Sequence, residues 1–530
     1  MAKSRFEARG AGQARQDRIG DLRGILKRFL LVSAALPPLL SFPSWAATWE
    51  IVPSLSVGET YTDNVSLSPD FSKQGDWVTE ISPGISVAAT GPRLRINATY
   101  NPEYVYYARG QRDNQIFQRG NALGNAELAE KLLFIDVGAN VNQYDVSLQG
   151  PLTTSNVNAT GNRATVETFF ASPYLRRDFG SDVHAEARFT ESGVNSDDDS
   201  SVHLNSLADR IELRLNSGPA YRLLTWNVDY VRETVDYESA QDTFAETTTL
   251  NARRLITSTV GLLAQVGYEN YESGDTVPAL EGLSWNAGLD WTPSPHTRLA
   301  ATVGHRFYGD AYFLDFSHRT RLTTWSVVYS ESVSSTRSEF FMPVTSTTSG
   351  YLHTLFSSQY PDPIARQKAV EEFISRTGLP LGLSSPTNFF STQLALVKRW
   401  QASAGILGAR NVLVASVFKQ TSEGLGGDLT LSGAGDFGVS NTISQTGASL
   451  LWNLRLSAQY AWNLRAAFSR NEFLDTGEVD NLTMVEMGLT RQFQPKVSGS
   501  VSYRRQQNNS NQSASSYTEN AVFATLTKRF

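Results

Sequence analysis

The sequence predicts an all-β fold: a single antiparallel up-and-down transmembrane β-barrel of about 20–22 strands, with one helix in a long extracellular loop. Three observations predict it. Polar and apolar residues alternate by twos through segment after segment, and short connections alternate with long ones. After residue 47 no apolar run reaches the length of a membrane-spanning helix, so a membrane role requires strands.

The first element is a leader. Residues 1–28 hold eight Lys or Arg against three acidic residues and run into FLLVSAALPPLLSFPSWAA, residues 29–47. A basic stretch, an apolar stretch and small residues at Ser44 and Ala46 form a secretory signal, with cleavage expected after Ala46 and Ala47 as second choice. The alternative is an uncleaved anchor, against which Pro37, Pro38 and Pro43 count, because they interrupt a segment barely long enough to span. The expected division is therefore signal peptide over 1–46 and outer-membrane barrel over 47–530. Removing the leader takes the formal charge from −6 to −11, which argues against nucleic acid as a partner and against simple adhesion to anionic lipid. With no Cys there is neither a disulfide framework nor a cysteine lipid anchor. Aromatic content of 11% and 39 Gly favour strands and turns over helices.

The strands follow in order. In DWVTEISPGISVAAT, Trp77, Ile81, Ile85 and Val87 alternate with Glu80, Ser82, Gly84 and Ser86. In RLRINATYNPEYVYY, Leu94, Ile96, Ala98, Tyr100, Tyr104 and Tyr106 oppose Arg93, Arg95, Asn97, Thr99, Asn101 and Glu103. The rhythm returns at Leu133 to Val141, at Leu224 to Tyr230 and at Val260 to Tyr268. Tight links at 89–92, 129–131, 179–182, 216–220, 292–297, 408–411 and 494–496 alternate with long polar ones at 62–75, 147–163, 191–204 and 333–387. Short turns on one rim and long loops on the other describe an outer-membrane barrel with its short side toward the periplasm.

The chain closes on AVFATLTKRF, with Val522, Ala524, Leu526 and Phe530 on one face and Thr525, Thr527 and Arg529 on the other. A last strand ending in Phe resembles the terminal strand that the barrel-assembly machinery is thought to read, so Phe530 and Leu526 are the expected assembly signal. Lys528 departs from that pattern, standing where such strands more often carry an apolar residue.

Longer strings carry a further resemblance. PSLSVGETYTDNVSLSP, EISPGISV, YNPEYVYY, LDWTPSPHTRLAATVGHRFYGDAYFLDFSHRT and YTENAVFATLTKRF, in that order and spacing, resemble the outer-membrane protein family associated with PEP-CTERM systems. The resemblance implies a Gram-negative outer-membrane barrel, porin-like, accompanying exosortase protein sorting and exopolysaccharide production. It implies no catalytic residues. The implied partners are outer-membrane lipid and lipopolysaccharide, the barrel-assembly machinery, and exopolysaccharide or export components.

Enzymatic constellations are not found. The six His show no tight metal spacing, and no G-x-S-x-G elbow occurs, so no metal, cofactor or catalytic residue is expected. GAGDFG at 433–438 matches G-x-G-x-x-G, but the residues after it do not read as a helix, which favours a glycine-rich loop over a nucleotide site. NSDDDS at 195–200 has the oxygen ligands for Ca²⁺ or for bridging lipopolysaccharide, against the plainer expectation of a solvated loop.

Solute contact is expected in the lumen. Arg93, Arg95, Asn97, Glu103, Asp136, Asn140, Asn142, Asp229 and Arg306 oppose the apolar stripe and so should line the interior, whether as a sugar track or as general wet lining. Trp77, Tyr100, Tyr104 and Tyr106 belong to the lipid-facing girdle. The expected function is a porin-like conduit or scaffold associated with exopolysaccharide export; the alternative is a surface structural or adhesive barrel that only displays loops. In the longest loop, Asp362 as N-cap, Pro363 at the first helical position, the stripe Val370, Phe373 and Ile374, and the stop at Gly378 and Pro380 predict a helix. An apolar stripe needs a partner, the barrel's inner wall or neighbouring loops, so this loop is expected either to fold over or into the mouth and narrow the pore or to lie on other loops without effect on passage.

Overall fold

The computed structural model describes residues 47–110, 112–197, 202, 204–274, 279–341, 352, 356, 366, 370, 386–426, 433–512 and 515–530. The expected leader lies outside them. One antiparallel sheet closes on itself: each strand pairs with its successor, and β1 (Thr48–Thr62) pairs with β24 (Tyr517–Arg529) from Ser54↔Arg529 to Thr62↔Ala521. Closure leaves no free edge to seek another chain.

Twenty-two wall strands result. β3 (Leu94–Tyr100) and β4 (Glu103–Tyr107) are one strand interrupted at Asn101 and Pro102, and β5 (Gln115–Phe117) and β6 (Gly120–Ala129) a second interrupted at Gln118 and Arg119. The two gaps lie side by side, bracketed by Tyr100↔Gly120 and Glu103↔Phe117. Proline offers no N–H, so the ladder lapses at that level. The other strands are β2 (Asp76–Thr90), β7 (Leu133–Asp145), β8 (Arg163–Phe179), β9 (Val183–Ser196), β10 (Ser206–Ser217), β11 (Leu224–Tyr237), β12 (Thr243–Leu255), β13 (Val260–Ser273), β14 (Leu280–Ser294), β15 (Thr297–Arg306), β16 (Gly309–Arg319), β17 (Thr323–Ser334), β18 (Ala395–Leu407), β19 (Asn411–Gly424), β20 (Thr442–Arg455), β21 (Tyr460–Phe473), β22 (Glu478–Gln494) and β23 (Val497–Ser510).

Connections alternate as the sequence predicts. Every link on the chain-terminal rim is tight, among them the turn after β8, where Gly180 takes φ +61°, a conformation that costs an L side chain. The long links all lie on the opposite rim. Two boundaries differ from expectation. Residues 191–196 continue β9, since Ser192 and Val194 still pair with Ala208 and Ser206, and 425–441 is a further long link that the turn residues did not announce.

The outward face is apolar. Ile51, Leu55, Ile85, Val137, Ile211, Leu250, Val266, Leu289 and Val501 stand exposed around the ring. Aromatic residues flank this band: Trp49, Phe179, Trp291, Trp325 and Phe493 toward the short-turn rim, and Tyr61, Trp77, Tyr106, Tyr268, Trp400 and Tyr503 toward the other. Exposure of so many large apolar groups in one continuous belt is stable only against an apolar solvent. The architecture is that of an outer-membrane-type, porin-like barrel.

Helix is scarce. Among the described residues the α-helical run is α1 (Thr336–Phe341), and a 3-10 turn covers Gly435–Gly438. Of the helix expected at 362–378, Arg366 and Val370 are described and helical, as are Leu352 and Phe356 upstream; Phe373 and Ile374 lie outside the described residues.

Candidate functional site: the barrel interior

Period-two alternation turns every second side chain inward, and the interior face therefore collects the polar residues of each strand. Two arcs of that face differ. From β18 round to β8 it is covered by inward-folded loops; from β11 to β16 it borders a cavity.

The covering begins with loop 146–162. Asn158 donates to Glu519 (2.6 Å) and accepts from Arg504 (2.9 Å), Thr154 donates to Gln506 (2.8 Å), and the Tyr517 hydroxyl donates to the Leu152 carbonyl (3.0 Å). Arg504 and Glu519 pair at 2.9 Å while only 2% and 0% exposed. Thr62 adds a third donor to Glu519 at 2.8 Å. Such a pair persists in a dry site because hydrogen bonds satisfy the remaining lone pairs. Val157 and Ala159 of the same loop pack with Val65, Val78, Val105 and Tyr107, an apolar cluster inside the mouth.

Other loops meet it from across the ring. α1 follows β17, yet its Arg337 reaches Ser206 (3.0 Å) on β10 and the hydroxyl and carbonyl of Ser192 on β9 (2.8 and 2.9 Å). The Phe390 amide donates to the Val146 carbonyl (2.8 Å), and Asp436 in the 3-10 turn accepts from the Ser147 hydroxyl (2.6 Å) and the Leu148 amide (2.7 Å). Burial pushes the Asp436 carboxyl up to about 6. Glycine-rich GAGDFG is thus a clasp between two loops. In the ring of 22, Phe390 before β18 and Asp436 before β20 meet the β7–β8 loop about ten strands away, and Arg337 after β17 meets β9 and β10, eight and seven strands away, so these contacts cross the mouth.

The long loop goes deeper. Leu352, Phe356 and Val370 form one buried cluster with Leu407, Val412, Val414 and Leu451. Leu407 and Val412 flank the tight turn between β18 and β19, at the short-turn rim. Val370 of the predicted stripe therefore meets the inner wall far from the mouth.

On the other arc, Thr225, Asn227, Asn251, Arg253, Gln265, Asn286 and Phe313 border a cavity of about 650 Å³, with Glu269, Arg306 and Tyr308 lining it toward the long-loop rim. Its arginines are paired, Arg253 Nε to Asp290 at 2.6 Å and Arg306 bidentate to Glu269 at 2.9–3.0 Å, while the Glu331 carboxylate accepts from the Tyr308 hydroxyl (3.0 Å).

The sequence-predicted lining residues fall in different settings. Arg93 sits in the β2–β3 turn and pairs with Glu130 (2.9 Å) on the short-turn rim. Arg95 and Asn97 are exposed on the inner face of β3. Glu103 accepts from Asn156 of the inward loop (2.7 Å). Asp136 binds Arg188 (2.7 Å), whose guanidinium lies 3.9 Å over the Tyr174 ring. Asn140 and Asn142 stand in register with Thr168 and Val166. Asp229 pairs with Arg214 (2.9 Å), and Arg306 borders the cavity. They form no single cluster. At the chain end, Leu526 faces outward opposite Val57, the Phe530 amide donates to the Pro53 carbonyl (2.9 Å), and Lys528 places its ammonium 4.7 Å from the Phe530 ring.

Asn227, Asn251, Gln265 and Asn286 escaped the sequence analysis. The available signal was one amide near the middle of the polar face in four successive strands, WNVD, LNAR, AQVG and WNAG. No metal-ligating group of three or more His, Asp or Glu occurs among the described residues; residues 198–200 of NSDDDS lie outside them.

Residues 427–530 match the family model described as putative beta-barrel porin 2. No curated protein matches the chain. Among solved structures, the siderophore receptor PirA from Acinetobacter baumannii is 8% identical, with 91% of this chain and 81% of that chain covered and a TM-score of 0.45. The ferric-catecholate import receptor Fiu from E. coli K12 is 8% identical, covering 90% and 81%, with a TM-score of 0.47. OccAB2 from Acinetobacter baumannii is 10% identical, covering 91% and 98%, with a TM-score of 0.33.

Proposed function

We propose that this porin-like barrel is an outer-membrane conduit whose free arc, β11 to β16, carries solute past a loop-filled half. The observation that carries it is the division of the interior: loops cover one arc, and a polar-lined cavity of about 650 Å³ remains on the other. The cargo is exopolysaccharide and the setting is a system that also sorts proteins through an exosortase; the supporting feature is the string resemblance running from PSLSVGETYTDNVSLSP to the C-terminal strand. A barrel that only displays loops is less well supported, because loop 146–162, α1 and the residues before β18 fold inward.

Insertion of the purified barrel into planar bilayers tests the conduit. Stepwise conductance is expected; a folded barrel that never conducts overturns it. A deletion strain that secretes normal amounts of polysaccharide removes the cargo assignment and leaves the conduit. Assembly through the terminal strand has its own test: deletion of Phe530 is expected to lower outer-membrane levels and expose the chain to periplasmic proteases, and unchanged heat-modifiable barrel refutes it.

A further inference from the structure

Four amides stand in direct cross-strand register on the free arc: Asn227↔Asn251, Asn251↔Gln265 and Gln265↔Asn286, one from each of β11, β12, β13 and β14. The row continues to Gly304 and Ala311, so nothing bulky separates its end from Phe313, which stands one pleat away opposite Thr302. Phe313 is 40% exposed although it faces inward. Adjacent strands are about 4.8 Å apart, so the row extends roughly 15 Å along the wall. We propose that this amide row and Phe313 form a binding track for uncharged, hydroxyl-rich saccharide units; the proposal rests on the conduit reading and names the cargo class of the same arc.

The chemistry of the row selects the ligand. A carboxamide presents two donors and an acceptor, and a sugar hydroxyl needs a donor and an acceptor from one neighbourhood. Within the wall Asn286 spends one N–H on Gln265 (2.6 Å), Asn251 one on Thr249 (3.5 Å) and Asn227 one on Asp229. Each retains polar capacity at the cavity. An exposed ring inside a water-filled barrel offers its face to the C–H surface of a pyranose, for which bulk water is a poorer partner. Anionic units fit less well: Arg253 and Arg306, the guanidinium groups at the cavity, are already paired with Asp290 and Glu269. Spare positive charge facing the ligand is what an acidic sugar would require.

Calorimetric titration of the full detergent-solubilised barrel tests this with two probes of equal length, maltohexaose and hexagalacturonate. Maltohexaose is expected to bind more tightly. In the Gln265→Leu/Asn286→Leu variant, checked for the heat-modifiable barrel form, its affinity should fall about tenfold. Phe313→Leu should weaken binding while leaving the amides in place. If the double variant does not reach the barrel form, Asn251→Leu alone is compared with Asn140→Leu, an amide of the covered side, and only the former should weaken binding. No binding of maltohexaose, tighter hexagalacturonate, or unchanged binding in the folded track variants overturns the proposal. The conduit reading fails separately: saccharide binding by a barrel that never conducts removes the conduit and keeps the track, whereas conductance without saccharide binding does the reverse.

Discussion

On β23, Arg504 and Gln506 turn inward and are buried under loop 146–162, and Asn508 donates to the Ser515 carbonyl of the link to β24; on β12 and β13, Asn251 and Gln265 turn inward by the same alternation and meet open space. The inward residues themselves do not announce the difference, since each of the three strands turns amide side chains inward: Gln506 and Asn508 on β23, Asn251 on β12 and Gln265 on β13. What separates them is which loops reach them. An inward polar residue is a structural fastener where a loop arrives and a solute contact where none does, so the covered arc should be sensitive to loop changes and the free arc to solute.

Removing the cover should have the largest effect. Deleting residues 345–385 takes away Leu352, Phe356 and Val370, which fill the inner wall beside Leu407 and Val414. Single-channel conductance of the correctly folded barrel is expected to rise several-fold; equal conductance would mean that the covered arc was never a barrier.

Next comes the contrast between ion pairs. Arg504→Ala strands the buried Glu519 carboxylate and should cost about 3–5 kcal/mol, read as a lower unfolding midpoint of the heat-modifiable barrel. Arg214→Ala, on β10 at the border of the free arc, breaks a pair with Asp229 of β11 whose arginine is 49% exposed and should cost at most about 1 kcal/mol. Similar losses would erase the distinction between the arcs.

The outer belt provides the control. Ile85→Asp on β2 and Leu289→Asp on β14 lie behind opposite arcs but face the same solvent, so each should cost on the order of 2 kcal/mol, while Asn97→Asp on the inner face is tolerated. Unequal belt penalties would show that the asymmetry reaches through the wall.

The smallest expected effect is one of pH. Asp436 holds its proton up to about 6 in the folded clasp against 3.8 ordinarily. The folded state thus binds the extra proton between those values, and the stability it contributes is present below about pH 4 and lost as pH rises through about 6. The midpoint difference between the protein and Asp436→Asn should shift across that window and stay constant above it.

The walls were legible in the sequence because membrane and water act on every strand separately: Ile81, Ile85 and Val87 against Glu80, Ser82 and Ser86 need no distant information. Tight turns such as FGSD were legible for the same local reason. The interior was not. Asn158 meets Arg504 across 346 residues, and the amide row exists only through the register of four strands. Alternation gives a residue's side of the wall but not its height, and height decides whether Asp136 meets Arg188 or Arg93 meets Glu130. The stripe of Val370 was readable as apolar and in need of a partner, while its depth came from Leu407 and Val412, which the sequence shows only as one more hairpin.

A ring of 22 strands is a soft hoop. Its ladder resists separation of neighbours but little opposes flattening, since bending is shared among many joints. The contacts of Arg337 with Ser192 and Ser206, and of Phe390 with Val146, work as a cross-tie: they anchor the β17–β18 side to the β7–β10 side and fix the distance between them. Cutting that tie changes the outline of the whole hoop, so a substitution at Arg337 should alter the bore along β12 to β16, beyond the β9, β10 and β11 residues it contacts.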